Sequence, residues 1–142
     1  MKTTTTTALN RTSIMDLFQI HQIFPTQQRV EIAQLLFSRS QHLSAEQVLA
    51  LVNREGATAS KATVYNTLGL LAEKGLIREL IVDPSKVFYD SNITHHHHLY
   101  DVDTGELIDV DPVNLSLPLL PEGAVPIGVE VIIRIRRQHR KN

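Results

Sequence analysis

The apolar positions of this chain change period near its middle. Over the first ninety residues they recur at intervals of three and four, the spacing of helices with one buried face. Within Ser13–Gln22 they are Ile14, Leu17, Phe18 and Ile20, and Pro25 ends the run. Thr26 is placed to cap a second helix, whose stripe is Val30, Ala33, Leu36 and Phe37. Ser44, with Gln47 three positions on, forms a capping box for a third helix, and Gly56 offers its stop. Ser60 opens a fourth, closed by Gly75. Residues 76–90, LIRELIVDPSKVFYD, then read as two strands joined by a turn at Asp83-Pro84-Ser85.

Beyond residue 91 alternation takes over. Residues 99–110 and 128–137 have strand character. In the second, Val129, Val131, Ile133 and Ile135 fall on one side and Glu130, Arg134 and Arg136 on the other. Between them Pro112, Pro118, Pro121 and Pro126 exclude a long helix. The expected organisation is a disordered tail (1–10), a domain of helices and a hairpin (11–91) and a small C-terminal α/β domain (92–142), an α+β fold overall. Four helices closed by a hairpin follow the order of a winged helix-turn-helix. The second domain has a thin core, and its apolar strand face calls for a partner, most simply a second copy.

The fourth helix carries a candidate surface. Val64, Leu68 and Leu71 share one face; Ala62, Asn66 and Gly69 lie opposite, with Tyr65 on the flank. Small residues and hydrogen-bonders suit close approach to a major groove. An ordinary surface helix whose Tyr65 packs on a neighbour has the same pattern.

Charge and composition narrow the classes. The 142 residues hold 14 basic and 15 acidic side chains, so DNA affinity would rest on arrangement rather than bulk charge. There is no cysteine, which excludes disulfides, thiolate zinc sites and thiol chemistry. No apolar run has the length of a membrane span, so a cytoplasmic, membrane-free setting is expected.

The distinctive stretch is THHHHLYDVDTGELIDV, residues 94–110. It is internal and flanked by strand-like sequence, unlike a purification tag; a solvated histidine loop and a metal site both remain open. If the run is extended, His96 and His98 share a face and His95 and His97 point away. A returning ELIDV strand can bring Asp109 beside them. Imidazoles with carboxylates suit Fe²⁺, Mn²⁺ or Zn²⁺.

Five blocks in order, FPTQQRVEIAQLL, HLSAEQVLALV, KATVYNTLGLLAEKGLI, VFYD and HHHHLYDVDTGELIDV, resemble the ferric uptake regulator family. The resemblance implies a homodimeric, metal-dependent transcription factor that is not an enzyme, with an N-terminal winged helix reading an inverted-repeat DNA operator and a C-terminal dimerisation domain. It implies one regulatory site of His42, Asp90, His96, His98 and Asp109, in which His42 ties the two domains together. Tyr65 would touch thymine methyls, Asn66 and Thr63 would contact bases or phosphates, and Ser60, Lys61 and Arg29 would hold the backbone. Many members hold a structural zinc through two Cys-x-x-Cys pairs; Asp101 and Thr104 stand in place of the first, so no structural zinc held by four cysteines can form. The proline-rich VNLSLPLLPEGAVPIGVEVIIRIRRQ with the histidine run resembles the iron response regulator branch, which implies haem contact at the histidines. His95 and His97 would then contribute to a second metal site or to haem.

Within the family, peroxide-, manganese- or zinc-sensing regulators are the alternatives. Outside it, a His/carboxylate metallohydrolase or a metal-storage protein would use the same residue types. Neither accounts for the capped helices and hairpin.

Overall fold

In a computed structural model of the chain, residues 9–54, 56, 58–93, 96–110 and 116–137 are described. They fall into two compact units, Met1–Ile93 and Thr94–Asn142. Residues 1–8 of the expected tail and His95 lie outside the described residues; Asn10, also assigned to the tail, caps the first helix by accepting a hydrogen bond from the Ser13 amide at 2.8 Å.

The first unit contains α1 (Arg11–Ile20), α2 (Gln27–Leu36), α3 (Ala45–Val52), α4 (Lys61–Glu73) and three strands, β1 (His42–Leu43), β2 (Arg78–Asp83) and β3 (Lys86–Asp90). Thr26, Ser44 and Ser60 cap α2, α3 and α4 through their side-chain oxygens, and the Ser44–Gln47 box closes in both directions. Gly75, at φ +75°, ends α4: its amide reaches the Ala72 carbonyl and the Leu76 amide reaches Leu71. Gly56 does not end α3. Asn53 does, accepting from the Thr58 and Ala59 amides and donating to the Ala59 carbonyl.

Each helix buries one face in a common core. Ile14, Phe18, Val30, Ile32, Ala33, Leu36, Val48, Val64, Leu68 and Leu71 are wholly buried. Burial of each large apolar side chain stabilises the unit by roughly 1.5–3 kcal/mol. Two positions depart from expectation. Ile20 is 75% exposed, because α1 ends there and turns away, and Ile32, outside the expected stripe of α2, is fully buried. The antiparallel sheet runs β1-β3-β2. Its two-residue strand β1 was not expected, being too short to show a period of two.

The second unit is a three-stranded sheet of β4 (His97–Asp101), β5 (Leu107–Val110) and β6 (Ile132–Ile135), in the order β5-β4-β6. β4 pairs antiparallel with β5 and parallel with β6. The strand expected over 99–110 is thus a hairpin with a turn at 102–104. No helix occurs among the described residues of this unit, so its expected α/β character is realised there by strands alone. The prolines of 116–127 keep the return to β6 irregular. That segment leaves Leu119 and Ile127 wholly exposed and Val125 80% exposed.

Candidate metal centre and nucleic-acid face

Within the first unit, the β1–β3 ladder sets His42 directly opposite Asp90. His42 Nε2 lies 3.5 Å from Asp90 Oδ2. Asp90 is buried, and its Oδ1 accepts from the Asn92 amide at 2.8 Å. The short strand is held at its start by Ser91 and Gln41. The Ser91 amide donates to the Gln41 carbonyl, the Gln41 amide to Ser91 Oγ, and the Gln41 side chain to the carbonyl of Leu35 at the end of α2. His42 therefore occupies a defined strand position.

Within the second unit, His98 on β4 is the ladder partner of Asp109 on β5. His98 Nε2 and His96 Nε2 both lie 3.1 Å from the same oxygen, Asp109 Oδ1. The two rings stand edge to face, with centroids 4.5 Å apart. Both histidines are buried, while Asp109 is exposed. Donor atoms about 2.1 Å from one cation, at angles between octahedral and tetrahedral, are about 3.0–3.4 Å apart. The observed separations match that edge length, so the imidazole and carboxylate set fits a borderline or hard divalent ion.

His97 faces elsewhere. It is 4% exposed, and its Nδ1 accepts the Val131 amide at 3.2 Å, joining β4 to the approach of β6. That nitrogen is committed to the sheet.

Asp101 builds a turn of its own. It is fully buried, Oδ1 accepting from the Asp103 and Thr104 amides at 2.9 and 3.1 Å and Oδ2 from Arg137 Nε at 3.0 Å. Burial opposes its charge, but the two amides and the guanidinium outweigh burial and hold the carboxyl below its ordinary value. Sequence reasoning passed over Arg137, which sits beyond a proline-rich segment with no pattern to link it to Asp101.

On α4, Val64, Thr67, Leu68 and Leu71 are buried, and Lys61, Ala62, Tyr65, Asn66 and Gly69 are exposed. Thr67, fourth member of the inner face, was missed because its hydroxyl disguises a core position. Ser60 Oγ accepts the Thr63 amide and lies 3.0 Å from Thr63 Oγ1, so both hydroxyls serve the cap. Arg29 is half-buried and donates to the Phe24 carbonyl at 2.9 Å. Tyr65 donates its hydroxyl to Glu46 on α3, and Lys61 Nζ stands 5.8 Å from the Tyr65 ring centroid. Glu46 was not among the expected site residues; its place in the capping-box sequence concealed it.

Residues 21–116 match the model of the ferric uptake regulator family. The ferric uptake regulation protein of Synechococcus elongatus is 35% identical over 88 residues, 59% of this chain and 60% of that protein. The peroxide-responsive repressor PerR of Staphylococcus aureus is 29% identical over 84 residues, 59% of this chain and 57% of that protein. The chain thus matches less than two thirds of the length of these curated relatives. The ferric uptake regulator of Francisella tularensis, solved with iron, superposes with a TM-score of 0.67 at 25% identity, covering 82% of this chain and 92% of that one. With capped helices, an antiparallel wing and a histidine-carboxylate strand pair beside these matches, the chain belongs to the ferric uptake regulator family.

Proposed function

We propose that this protein is a homodimeric, metal-responsive transcriptional regulator that binds an inverted-repeat operator in duplex DNA, with iron homeostasis as its field. The observation that carries this reading is the convergence of His96 and His98 on Asp109 Oδ1. The His42–Asp90 pair supplies a second imidazole-carboxylate set. We assign the two sets to one site. Only residues 91–95 separate Asp90 from His96, a tether of about 20 Å at full extension. Covalent linkage at that length gives the two sets a high effective concentration for a shared ion. When bound, the ion supplies a positive charge that all five side chains can satisfy together, and this favours one arrangement of the two units over others.

The exposed face of α4 is the proposed reading surface, with Tyr65 and Asn66 towards bases and Ser60, Lys61, Thr63 and Arg29 towards phosphates. Action on DNA in the cytoplasm belongs to the same proposal; the described residues contain no helix long and apolar enough to cross a membrane. Haem is the less supported signal: His97 is buried with Nδ1 accepting the Val131 amide, and ligation through its Nε2 would put the proton on Nδ1 and cost that hydrogen bond. Relatives named for peroxide response favour a second reading, ferrous iron at the same ligands as an oxidant trap. Peroxide treatment of the iron-loaded protein would then add oxygen mass to a peptide containing His42, His96 or His98.

The test is elemental analysis and haem absorbance on untagged protein, followed by duplex selection from a randomised pool with and without Fe²⁺, Mn²⁺ or Zn²⁺. Enrichment of an inverted repeat that depends on one of these ions is expected. An apo protein that selects DNA equally well would overturn the metal-responsive reading.

A further inference from the structure

An acidic side chain stands at the surface proposed to meet DNA. Glu46 lies in the first turn of α3, and its carboxylate accepts the Tyr65 hydroxyl of α4. Next to the phosphate backbone a carboxylate is repelled, so its presence calls for a physical reason. Helix packing is not that reason. α3 and α4 are joined beneath the surface by buried Ala45, Val48, Val64 and Leu68, and an exposed pair above such a core adds little. Tyr65 is itself 39% exposed.

The contact changes what Tyr65 can present. A phenol has one O–H donor. Here it is spent on Glu46, and the ring is fixed from its far end. Lys61 approaches the ring from the same helix. The hydrogen bond to Glu46 raises the phenol above its ordinary value, with burial adding, and the same bond lowers the Glu46 carboxyl, with Lys61 and Lys86 adding. Those two lysines also offset the negative charge as seen from DNA. With the hydroxyl engaged before binding, what Tyr65 can offer outward is its partly exposed ring.

Resting on the DNA-binding reading above, we propose that Glu46 is a positioning residue for sequence recognition: it holds the Tyr65 ring across the exposed face of α4 and withdraws the hydroxyl from base contacts, so that Tyr65 reads an apolar edge, the thymine methyl. Specificity then comes from pre-organisation, and the hydroxyl acts only through Glu46.

The probes are the tightest duplex that Mn²⁺-loaded wild-type protein recovers from a randomised pool, and a scrambled duplex of equal length, at one fixed salt concentration. Immobilising one side chain is worth about a two- to tenfold factor in affinity. Glu46→Ala and Tyr65→Phe should each lose that factor on the selected duplex and change little on the scrambled one. Glu46→Gln, which keeps an acceptor oxygen and drops the charge, should retain wild-type affinity or exceed it. The double variant Glu46→Ala/Tyr65→Phe should lose no more than either single. In ¹³C-tyrosine-labelled protein, the resonance missing from Tyr65→Phe should titrate at lower pH in Glu46→Ala than in wild type. The proposal is overturned if Glu46→Ala binds the selected duplex as wild type does, if Glu46→Gln loses as much as Glu46→Ala, or if the single losses add. If wild-type protein enriches no duplex, the DNA-binding reading fails, and the proposal with it.

Discussion

His98 faces Asp109 across the β4–β5 ladder, and its Nε2 lies 3.1 Å from Asp109 Oδ1, the oxygen that His96 Nε2 approaches at the same distance. One carboxylate oxygen thus collects two imidazoles from alternate positions of one strand approach, while His97 between them turns to the Val131 amide. The four-histidine run is therefore not four equivalent groups.

A calorimetric titration with Mn²⁺ should separate them. His96→Ala, His98→Ala and Asp109→Ala should each weaken binding by at least the roughly 10–100-fold that loss of a mere supporting contact to a ligand costs. His97→Ala should keep the metal and instead destabilise the sheet by roughly 1 kcal/mol, since the Val131 amide loses its acceptor. Binding should weaken in acid, because imidazole and carboxylate ligands must shed protons to coordinate. Equal losses in all four variants would reduce the run to a loose histidine tract.

Asp101 makes a pH prediction with a definite sign. Its folded carboxyl is held below the ordinary value by the Thr104 and Asp103 amides and Arg137, against the cost of burial. A depressed folded pKa stabilises the fold fully above the ordinary carboxylate value of about 3.9, and this contribution fades as pH falls through the lower folded value. Asp101→Asn lacks the term at every pH. The stability gap between wild type and Asp101→Asn, measured without metal by denaturant titration, should be constant near neutrality and close below about pH 3.9. A gap that widens in acid would contradict the assignment.

How much of this was legible depends on whether each feature is local. Helix starts were legible because Thr26, Ser44 and Ser60 act on amides three positions away. The hairpin at Asp83-Pro84-Ser85 was legible for the same reason: the Ser85 amide and hydroxyl both donate to Asp83 Oδ1. The second-unit trio needed only the period of a strand and one reversal. His42 and Asp90 are paired by a ladder joining positions 42 and 90 through a two-residue strand, and no period reveals that; family resemblance supplied it. Asp101 with Arg137, and Glu46 with Tyr65, are long-range side-chain contacts that sequence spacing does not encode.

The two faces of α4 predict opposite mutational behaviour. Leu68→Ala removes a wholly buried side chain and should cost about 2–5 kcal/mol, read as a lowered denaturant midpoint. Asn66→Ala lies on the exposed face and should shift stability by less than about 0.5 kcal/mol. It should nonetheless weaken binding to the selected duplex, by about 1–3 kcal/mol if Asn66 makes a bidentate base contact. The reverse pattern would remove α4 from the DNA.

The exposed apolar side chains of 117–127 predict the oligomeric state. Leu119 and Ile127 are wholly exposed and Val125 is 80% exposed, with Glu122 as the sole charge between residues 117 and 127. Three largely exposed apolar side chains along one proline-rich segment suit burial against a second copy. Light scattering at micromolar concentration should show a dimer for wild type and a folded monomer for Leu119→Glu/Ile127→Glu. A wild-type monomer would remove the two-half-site mode of DNA binding.

A shared ion would couple metal to DNA. In the proposed site His42 and Asp90 belong to the first unit and His96, His98 and Asp109 to the second. If one ion joins both sets, its binding energy favours the arrangement of units that binds the operator, and the coupling should be about 1–3 kcal/mol, or five- to 150-fold in affinity. Coupling of this kind is reciprocal: saturating operator must tighten Mn²⁺ binding by the factor with which Mn²⁺ tightens operator binding. His42→Ala leaves the second-unit trio intact, so it should retain weakened metal binding while the coupling falls towards unity. His98→Ala weakens the ion's hold on the second-unit set, so the metal concentration needed to affect DNA affinity should rise by at least the same roughly 10–100-fold. Titrating metal at fixed operator, and operator at fixed metal, for wild type and both variants checks all of this in one set of measurements. A His42→Ala protein with undiminished coupling would leave a metal site confined to the second unit and would sink the shared-ion mechanism.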